Sequence, residues 1–212
     1  MTDRYDVSGL TEAQFEQGSN DKVLKNRQGI TNPEEMDSAE AKALAVAMDI
    51  LIKEYDAEHQ FTVNDLCYMH KLWLGDIYEW AGQFRQVNIS KGDFSFAMAN
   101  RVPKLMMQFE QEQLLKYTPC INFDRNAIVN ALSEVHVEFE LIHPFREGNG
   151  RVGRILITLM ALQAGLPLLN FNLFVKESKE EYFSAIQEGL DRNYTPMEQL
   201  FTKVIDNSFT SS

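Results

Sequence analysis

Residues 154–165, RILITLMALQAG, are apolar at nearly every position after the first, and Gly165 and Pro167 close the run. A surface helix keeps a polar stripe for water. This segment has almost none, so as a helix it is buried on most of its sides and stops at the glycine. A chain built round such a rod must supply other helices to cover it. In the segment TNPEEM, Asn32 reads as an N-cap, Pro33 as the first helical residue and Glu35 as the third position after the cap. The apolar positions that follow predict a buried helix to about Tyr55. A second helix is expected from about Thr62 to Gly82, a third from about Asn100 to Lys116, and a fourth from about Asp124, with Ile128, Leu132, Val135 and Phe139 at helical spacing. Two more follow the apolar rod, at roughly 177–190 and 195–206. Between the second and third, QFRQVNISKGDFSF places β-branched and aromatic residues on both sides of the turn signal Lys91-Gly92-Asp93, which predicts a hairpin. The class is all-α with one β-hairpin.

The 212 residues, 44% hydrophobic and 24% charged, are those of a globular chain that buries a substantial core, and no stretch inside reads as a linker. A formal net charge of −11 argues against broad contact with nucleic acid or anionic membrane, both of which need clustered cations. No window reaches the ~18 apolar residues of a membrane span. Cys67 and Cys120 have neither metal-ligand nor redox spacing, and the first residues lack a signal peptide's apolar stretch, so a cytoplasmic location is expected.

The chemistry concentrates in residues 143–154, HPFREGNGRVGR. Pro144 biases His143 away from the α region, so the fourth helix should end there and hand the imidazole to a loop. With an ordinary pKa of ~6.5 an imidazole can take a proton from a hydroxyl near neutral pH. The plainer reading is a histidine that caps a helix C-terminus. Gly148 and Gly150 flank Asn149 where the next helix begins, which lets several N–H groups point into one space and bind an anion. Arg151 and Arg154 follow on the first turn of that helix, whose dipole disfavours each cation there by about 0.3–1 kcal/mol. Two such residues imply a negative partner, either a phosphate chain matched by guanidinium forks or a buried carboxylate. Glu147 would then hold a divalent cation, with Mg²⁺ suited to one carboxylate plus phosphate oxygens, unless it pairs with Arg151 or Arg154. His136, Glu140 and His143 recur along one helical face and could form a zinc set, but H-E-x-x-H is absent and zinc leaves the glycines and arginines unexplained.

The twelve residues resemble the signature of the Fic-domain (Fic/Doc) family, H-x-F-x-(D/E)-(A/G)-N-G-R-x-x-R, at every specified position. The likeness extends upstream through GDIYEWAGQFRQVNISKGDFSFA and downstream through ESKEEYFSAIQEGLDRNYTPMEQLF. It implies a Fic domain over 31–207, of about eight helices with the hairpin as a flap, between an extended or weakly helical lead-in over 1–30 and a tail at 208–212. The resemblance further implies transfer of AMP from ATP to a Tyr, Ser or Thr hydroxyl of a target protein, with release of pyrophosphate. In that reading His143 is the base, Phe145 anchors the loop and Glu147 holds Mg²⁺ against the α- and β-phosphates. Gly148, Asn149 and Gly150 form the anion hole, Arg151 meets the α- and β-phosphates, Arg154 positions the γ-phosphate, and Lys91 reaches the nucleotide. The flap over residues 84–96 would dock the target by main-chain pairing. Doc-type kinases carry lysine where this chain has Gly150, which favours AMP transfer. The same pocket could also serve hydrolytic removal of AMP, Doc-like phosphorylation, or binding without chemistry.

Relatives of this kind often carry an inhibitory helix, (S/T)-x-x-x-E-(G/N), whose glutamate pairs with the second motif arginine, here Arg154. Ser184-Ala-Ile-Gln-Glu188-Gly189 matches the pattern but falls in an expected core helix, and Thr31 to Glu35 fails it at Met36. The resemblance therefore points to a stand-alone, toxin-like protein whose inhibitory helix comes from a separate small antitoxin-like partner.

Overall fold

A computed structural model describes residues 9–174 and 178–210. Among these are seven α-helices and one hairpin: α1 (Pro33–Glu54), α2 (Val63–Leu74), β1 (Ser90–Lys91), β2 (Phe94–Ser95), α3 (Val102–Phe109), α4 (Arg125–Ile142), α5 (Asn149–Gln163), α6 (Lys179–Glu188) and α7 (Thr195–Thr210). The apolar rod is α5, and Val152, Leu156, Ile157, Met160 and Ala161 on it have no exposure to solvent. Helices α4 and α2 pack against it, α1 covers α2, and α7 with α6 closes over α4. The start predicted at 177 for α6 lies outside the described residues, as do residues 1–8 of the lead-in and 211–212 of the tail.

Local signals set most helix starts. Asn32 accepts from the Glu34 and Glu35 N–H groups, and Asp124 accepts from Ala127 N–H. Thr62 and Asp65 form a reciprocal capping box at α2. Helix α1 is less buried than its composition suggests, with Val46 61% and Ile50 40% exposed. Helix α3 continues through a π turn at Glu110–Leu114 to Tyr117. The Glu110 carboxylate reaches across to accept from Val63 N–H at 2.6 Å, capping α2 from a neighbouring element.

The end of the second helix needs correction. Helix α2 ends at Leu74 and not at Gly82: Ile77 and Tyr78 both donate their N–H to Leu74 O, and the Ile77 carbonyl accepts from Arg27 N–H at 2.8 Å. In a continued helix that carbonyl would be committed to residue 81. The described part of the lead-in is a short 3-10 turn at Thr11–Ala13 followed by extended chain, and it packs onto the rest of the protein. Phe15 and Leu24 form an antiparallel bridge, Val23 and Ile30 join the core, and Glu12 is buried against the hairpin stem.

The hairpin pairs Ser90 with Ser95 and Lys91 with Phe94. Gly92 has φ +57°, the left-handed conformation a two-residue hairpin turn asks of its first residue. Both strands expose an edge to solvent beside the end of α4.

Candidate active site

Helix α4 ends at His143, a non-glycine residue in the left-handed region (φ 53°, ψ 61°). Such a conformation costs roughly 1–2 kcal/mol and persists where the surroundings enforce it. Arg85 supplies the enforcement, since its Nε donates to His143 O at 2.7 Å and its main-chain N–H donates to Pro144 O at 2.9 Å. On the imidazole, Nδ1 lies 3.1 Å from the Glu140 carbonyl, which can only accept, so Nδ1 carries the hydrogen and Nε2 keeps a lone pair. The ring stacks on Phe96 of the hairpin at 3.8 Å. Burial, helped by the nearby Arg85 and Lys91 cations, pushes the imidazole down to about 4, so it is neutral at pH 7 with its Nε2 lone pair free to take a proton.

The loop from Phe145 to Asn149 is locked from within. The Asn149 side chain accepts from Phe145 N–H and donates to Phe145 O, both at 2.8 Å. Phe145 is fully buried and stacks on His70 at 4.0 Å, in planes 6° apart. His70 donates through Nε2 to Glu147 O and accepts from Gly82 N–H through Nδ1, and burial lowers its imidazole to about 4. Gly148 (φ +82°) then opens α5 and lies against Trp73, where a Cβ would come within 2.6 Å of the indole ring. The N–H groups of Arg151 and Val152 return to Gly148 O. Those of Asn149 and Gly150 find no protein acceptor among the described residues, which leaves two donors at a helix N-terminus for an anion.

The two arginines diverge. Arg151 pairs with buried Glu40 of α1 at 2.6 Å and with Glu147 at 3.3 Å, and its guanidinium lies 4.5 Å over the Trp73 ring. Its strongest negative partner is thus a protein carboxylate, which Tyr78 further holds by a 2.8 Å hydrogen bond. Arg154 forms no ion pair at salt-bridge distance among the described residues and lies at the Gly150 side of the cavity. Lys91 reaches in from the hairpin, its Nζ 3.8 Å above the Phe183 ring.

His143, Lys91, Glu147, Gly148, Asn149, Gly150, Arg151 and Arg154 all line one cavity of about 540 Å³, within the range of small-molecule sites. The sequence brings the motif residues together in a single loop, and the tertiary fold adds Lys91.

Residues 60–161 match the Fic/DOC family. Over 144 residues the chain is 30% identical to the probable protein adenylyltransferase Fic of Escherichia coli strain K12, covering 66% of this chain and 68% of that one. The chain belongs to the Fic/DOC family. A Salmonella typhimurium relative, also described as a probable protein adenylyltransferase Fic, is 27% identical over 88% of this chain and 89% of its own. The N-terminal Fic domain of a cell filamentation protein from Bartonella quintana superposes with a TM-score of 0.73 at 25% identity, over 92% of this chain and 93% of that one.

This Fic site contains parts that spacing alone did not reveal. Glu40, Arg85 and His70 are all buried polar residues placed by contacts distant in sequence. Glu12 of the lead-in also belongs here, because its carboxylate accepts from Gln86 N–H at 2.6 Å and its carbonyl accepts from Arg146 Nε at 2.9 Å. No periodic signal marks these residues; the hint is a carboxylate or guanidinium set among apolar neighbours. The zinc set does not assemble, since His136 commits Nε2 to Tyr182 Oη at 2.8 Å. Glu188 is exposed and accepts from Asn193 Nδ2, away from Arg154, so the Ser184–Glu188 pattern is no internal clamp. Thr31 and Glu35 are likewise exposed.

Proposed function

We propose that this Fic protein is a protein adenylyltransferase, transferring AMP from ATP to a Tyr, Ser or Thr hydroxyl of a target protein. The observation that carries the reading is the meeting, in one cavity, of an imidazole whose Nε2 is unprotonated at neutral pH with the open N–H groups of Asn149 and Gly150. The names of the relatives in Escherichia coli and Salmonella support the same activity.

In the reaction the target hydroxyl attacks the α-phosphorus and gives its proton to His143 Nε2, while the bond to the β-phosphate oxygen breaks and pyrophosphate leaves. The Asn149 and Gly150 N–H groups receive the charge that develops on the α-phosphate. Gly150 leaves space there: a Cβ would lie 3.2 Å from Arg154 Nη1, so a lysine at this position would crowd the arginine. Arg154 takes the γ-phosphate, and Arg151, fixed by Glu40, borders the α- and β-phosphates. Lys91 adds a cation from the flap. Glu147 would hold Mg²⁺ through Oε2: its Oε1 accepts from Gly148 N–H and pairs with Arg151, while the side chain is 45% exposed at the cavity wall and a magnesium ion takes most of its ligands from phosphate and water. When bound, the ion neutralises phosphate charge as pyrophosphate departs.

The target docks along the exposed hairpin edge within residues 84–96, where main-chain pairing would bring its hydroxyl beside His143. With Glu188 and Glu35 both exposed and neither lining the cavity that holds Arg154, inhibition falls to a separate antitoxin-like protein that supplies a glutamate. A reducing cytoplasm suits the two free thiols, and no helix among the described residues is long and apolar enough to cross a membrane. The test is incubation with bacterial lysate and ATP labelled at the α- or the γ-phosphate, with His143→Ala as control. Protein label from α-labelled ATP alone, lost in the variant, is the expected result; label from γ-labelled ATP alone would replace AMP transfer with phosphorylation.

A further inference from the structure

Glu140 sits one turn before His143 on the inner face of α4 and is 4% exposed. Its Oε2 lies 3.6 Å from His143 Nδ1. Its Oε1 has no hydrogen-bond partner, one of three such buried side-chain atoms among the described residues. That oxygen points at the first turns of α5, 2.9 Å from where a Cβ would stand on Gly153 and 3.7 Å from the corresponding point on Gly150. The Gly150 point is itself 3.2 Å from Arg154 Nη1, so carboxylate and guanidinium approach the same glycine. The groups that face Glu140 are His143 on the loop, Arg154 on α5, Lys91 on β1, and His136 and Tyr182, which bond each other at 2.8 Å.

An unpartnered buried carboxylate is costly and needs a cation or a proton. Here the candidate cations are Arg154 and Lys91, both of which also border the space where a nucleotide's phosphates would lie. A γ-phosphate that engages Arg154 therefore withdraws the support of Glu140.

We infer that Glu140 is a positioning residue that exchanges Arg154 between itself and the nucleotide's terminal phosphate, taking up a proton when ATP binds and, once ionised, steadying the imidazolium that forms on His143. This rests on the AMP-transfer reading for the His143 half, whereas the Arg154 half requires only nucleotide binding. Burial raises the Glu140 carboxyl to about 7, with Arg154 and Lys91 pulling it back, so both forms are present near neutral pH. Rising pH then weakens ATP binding, because the ionised carboxylate competes for Arg154, and raises kcat, because the same charge stabilises His143 in its protonated form.

The experiment compares wild type with Glu140→Gln, which keeps the shape and fixes the neutral state. ATP and ADP affinities are measured by calorimetry from pH 6 to 8.5, in buffers of different ionisation enthalpy that report proton uptake. In wild type, ATP affinity falls several-fold relative to the variant across this range, with proton uptake on binding; the variant binds tightly throughout and takes up no extra proton at this site. ADP, without a γ-phosphate, shows a much smaller difference. In the transfer assay the variant lowers kcat several-fold at pH 8 and lowers KM for ATP. A second readout needs no substitution: the ¹³C carboxyl signal of Glu140 in wild type titrates near neutral pH and moves to higher pH when ATP is added. Parallel ATP profiles in the two proteins, or a Glu140 signal indifferent to ATP, would overturn the inference. Absence of AMP transfer in wild type would sink the functional reading while leaving the binding and NMR results to decide the Arg154 exchange.

Discussion

Arg85 offers the sharpest test of how the site is held. It is 2% exposed, and its guanidinium donates to four carbonyls: Val87 and Ala97 on the two stems of the hairpin, and Ile142 and His143 at the end of α4. Replacing it with alanine leaves all four short of a donor. Water can reach the two more accessible carbonyls, those of His143 and Ala97. The bonds to Val87 at 2.8 Å and Ile142 at 3.3 Å are buried, and each charged hydrogen bond removed costs about 1.5–3 kcal/mol. Arg85→Ala should therefore lose about 3–6 kcal/mol, a large part of the roughly 5–15 kcal/mol that holds a domain together. Arg85→Lys keeps the charge but reaches fewer carbonyls, so its loss is smaller while kcat still falls, because His143 is no longer pinned in its left-handed conformation. Denaturant unfolding at constant slope measures the first quantity. NMR titration of the His143 ring adds a second signature: removing the cation lets the imidazole rise from about 4 in Arg85→Ala, whereas Arg85→Lys keeps it low. A loss below ~1 kcal/mol in Arg85→Ala would refute the clamp.

Other outcomes follow from the same geometry. Gly189 packs against α4 so closely that an added Cβ would meet Val137 Cγ1 at 2.1 Å, so Gly189→Ala should destabilise by about 1–3 kcal/mol through overpacking. Glu188→Ala, in contrast, should change neither stability nor transfer rate; a marked rise in rate would restore the internal inhibitory clamp. The buried imidazoles of His70, His136 and His143, lowered to about 4, 3 and 4, bind protons in the unfolded chain before the folded one. Stability is then complete above ~6.5 and is lost as pH falls, by up to about 1.4 kcal/mol per pH unit for each histidine. Glu140, Glu12 and Glu138, raised by burial, oppose this trend and reduce its slope. An unfolding midpoint flat between pH 7 and 5 would contradict it. Lys91→Ala should weaken ATP binding a few-fold and move stability by less than ~1 kcal/mol, since the contact it loses is a cation–π pair with Phe183, checked by calorimetry and thermal melting.

Much of the molecule was legible in the residue order. The N-cap at Asn32, the helix starts expected near Thr62 and Asp124 and the apolar run of α5 are local signals, and each lies within a residue or two of the observed start or run. The turn at Gly92 was readable for the same reason: a glycine between two β-prone runs admits the positive φ that the hairpin requires. Where the expectation failed, a distant partner intervened. Helix α2 gives way to turns in which Ile77 O is claimed by Arg27, a partner fifty residues earlier in the chain.

For the site, the sequence by itself determined which groups stand in line from His143 to Arg154, because a loop that turns from one helix into the next places consecutive residues round one space. It also exposed the tension of two arginines at a helix N-terminus. Only the tertiary structure decided how that tension resolves: Arg151 goes to Glu40, more than a hundred positions earlier, and Arg154 stays at the cavity facing Glu140. It likewise decided that the histidine is neutral and aimed by Arg85. Charge state and orientation depend on burial and on the nearest opposite charge, and both are set by packing between segments that no local pattern connects.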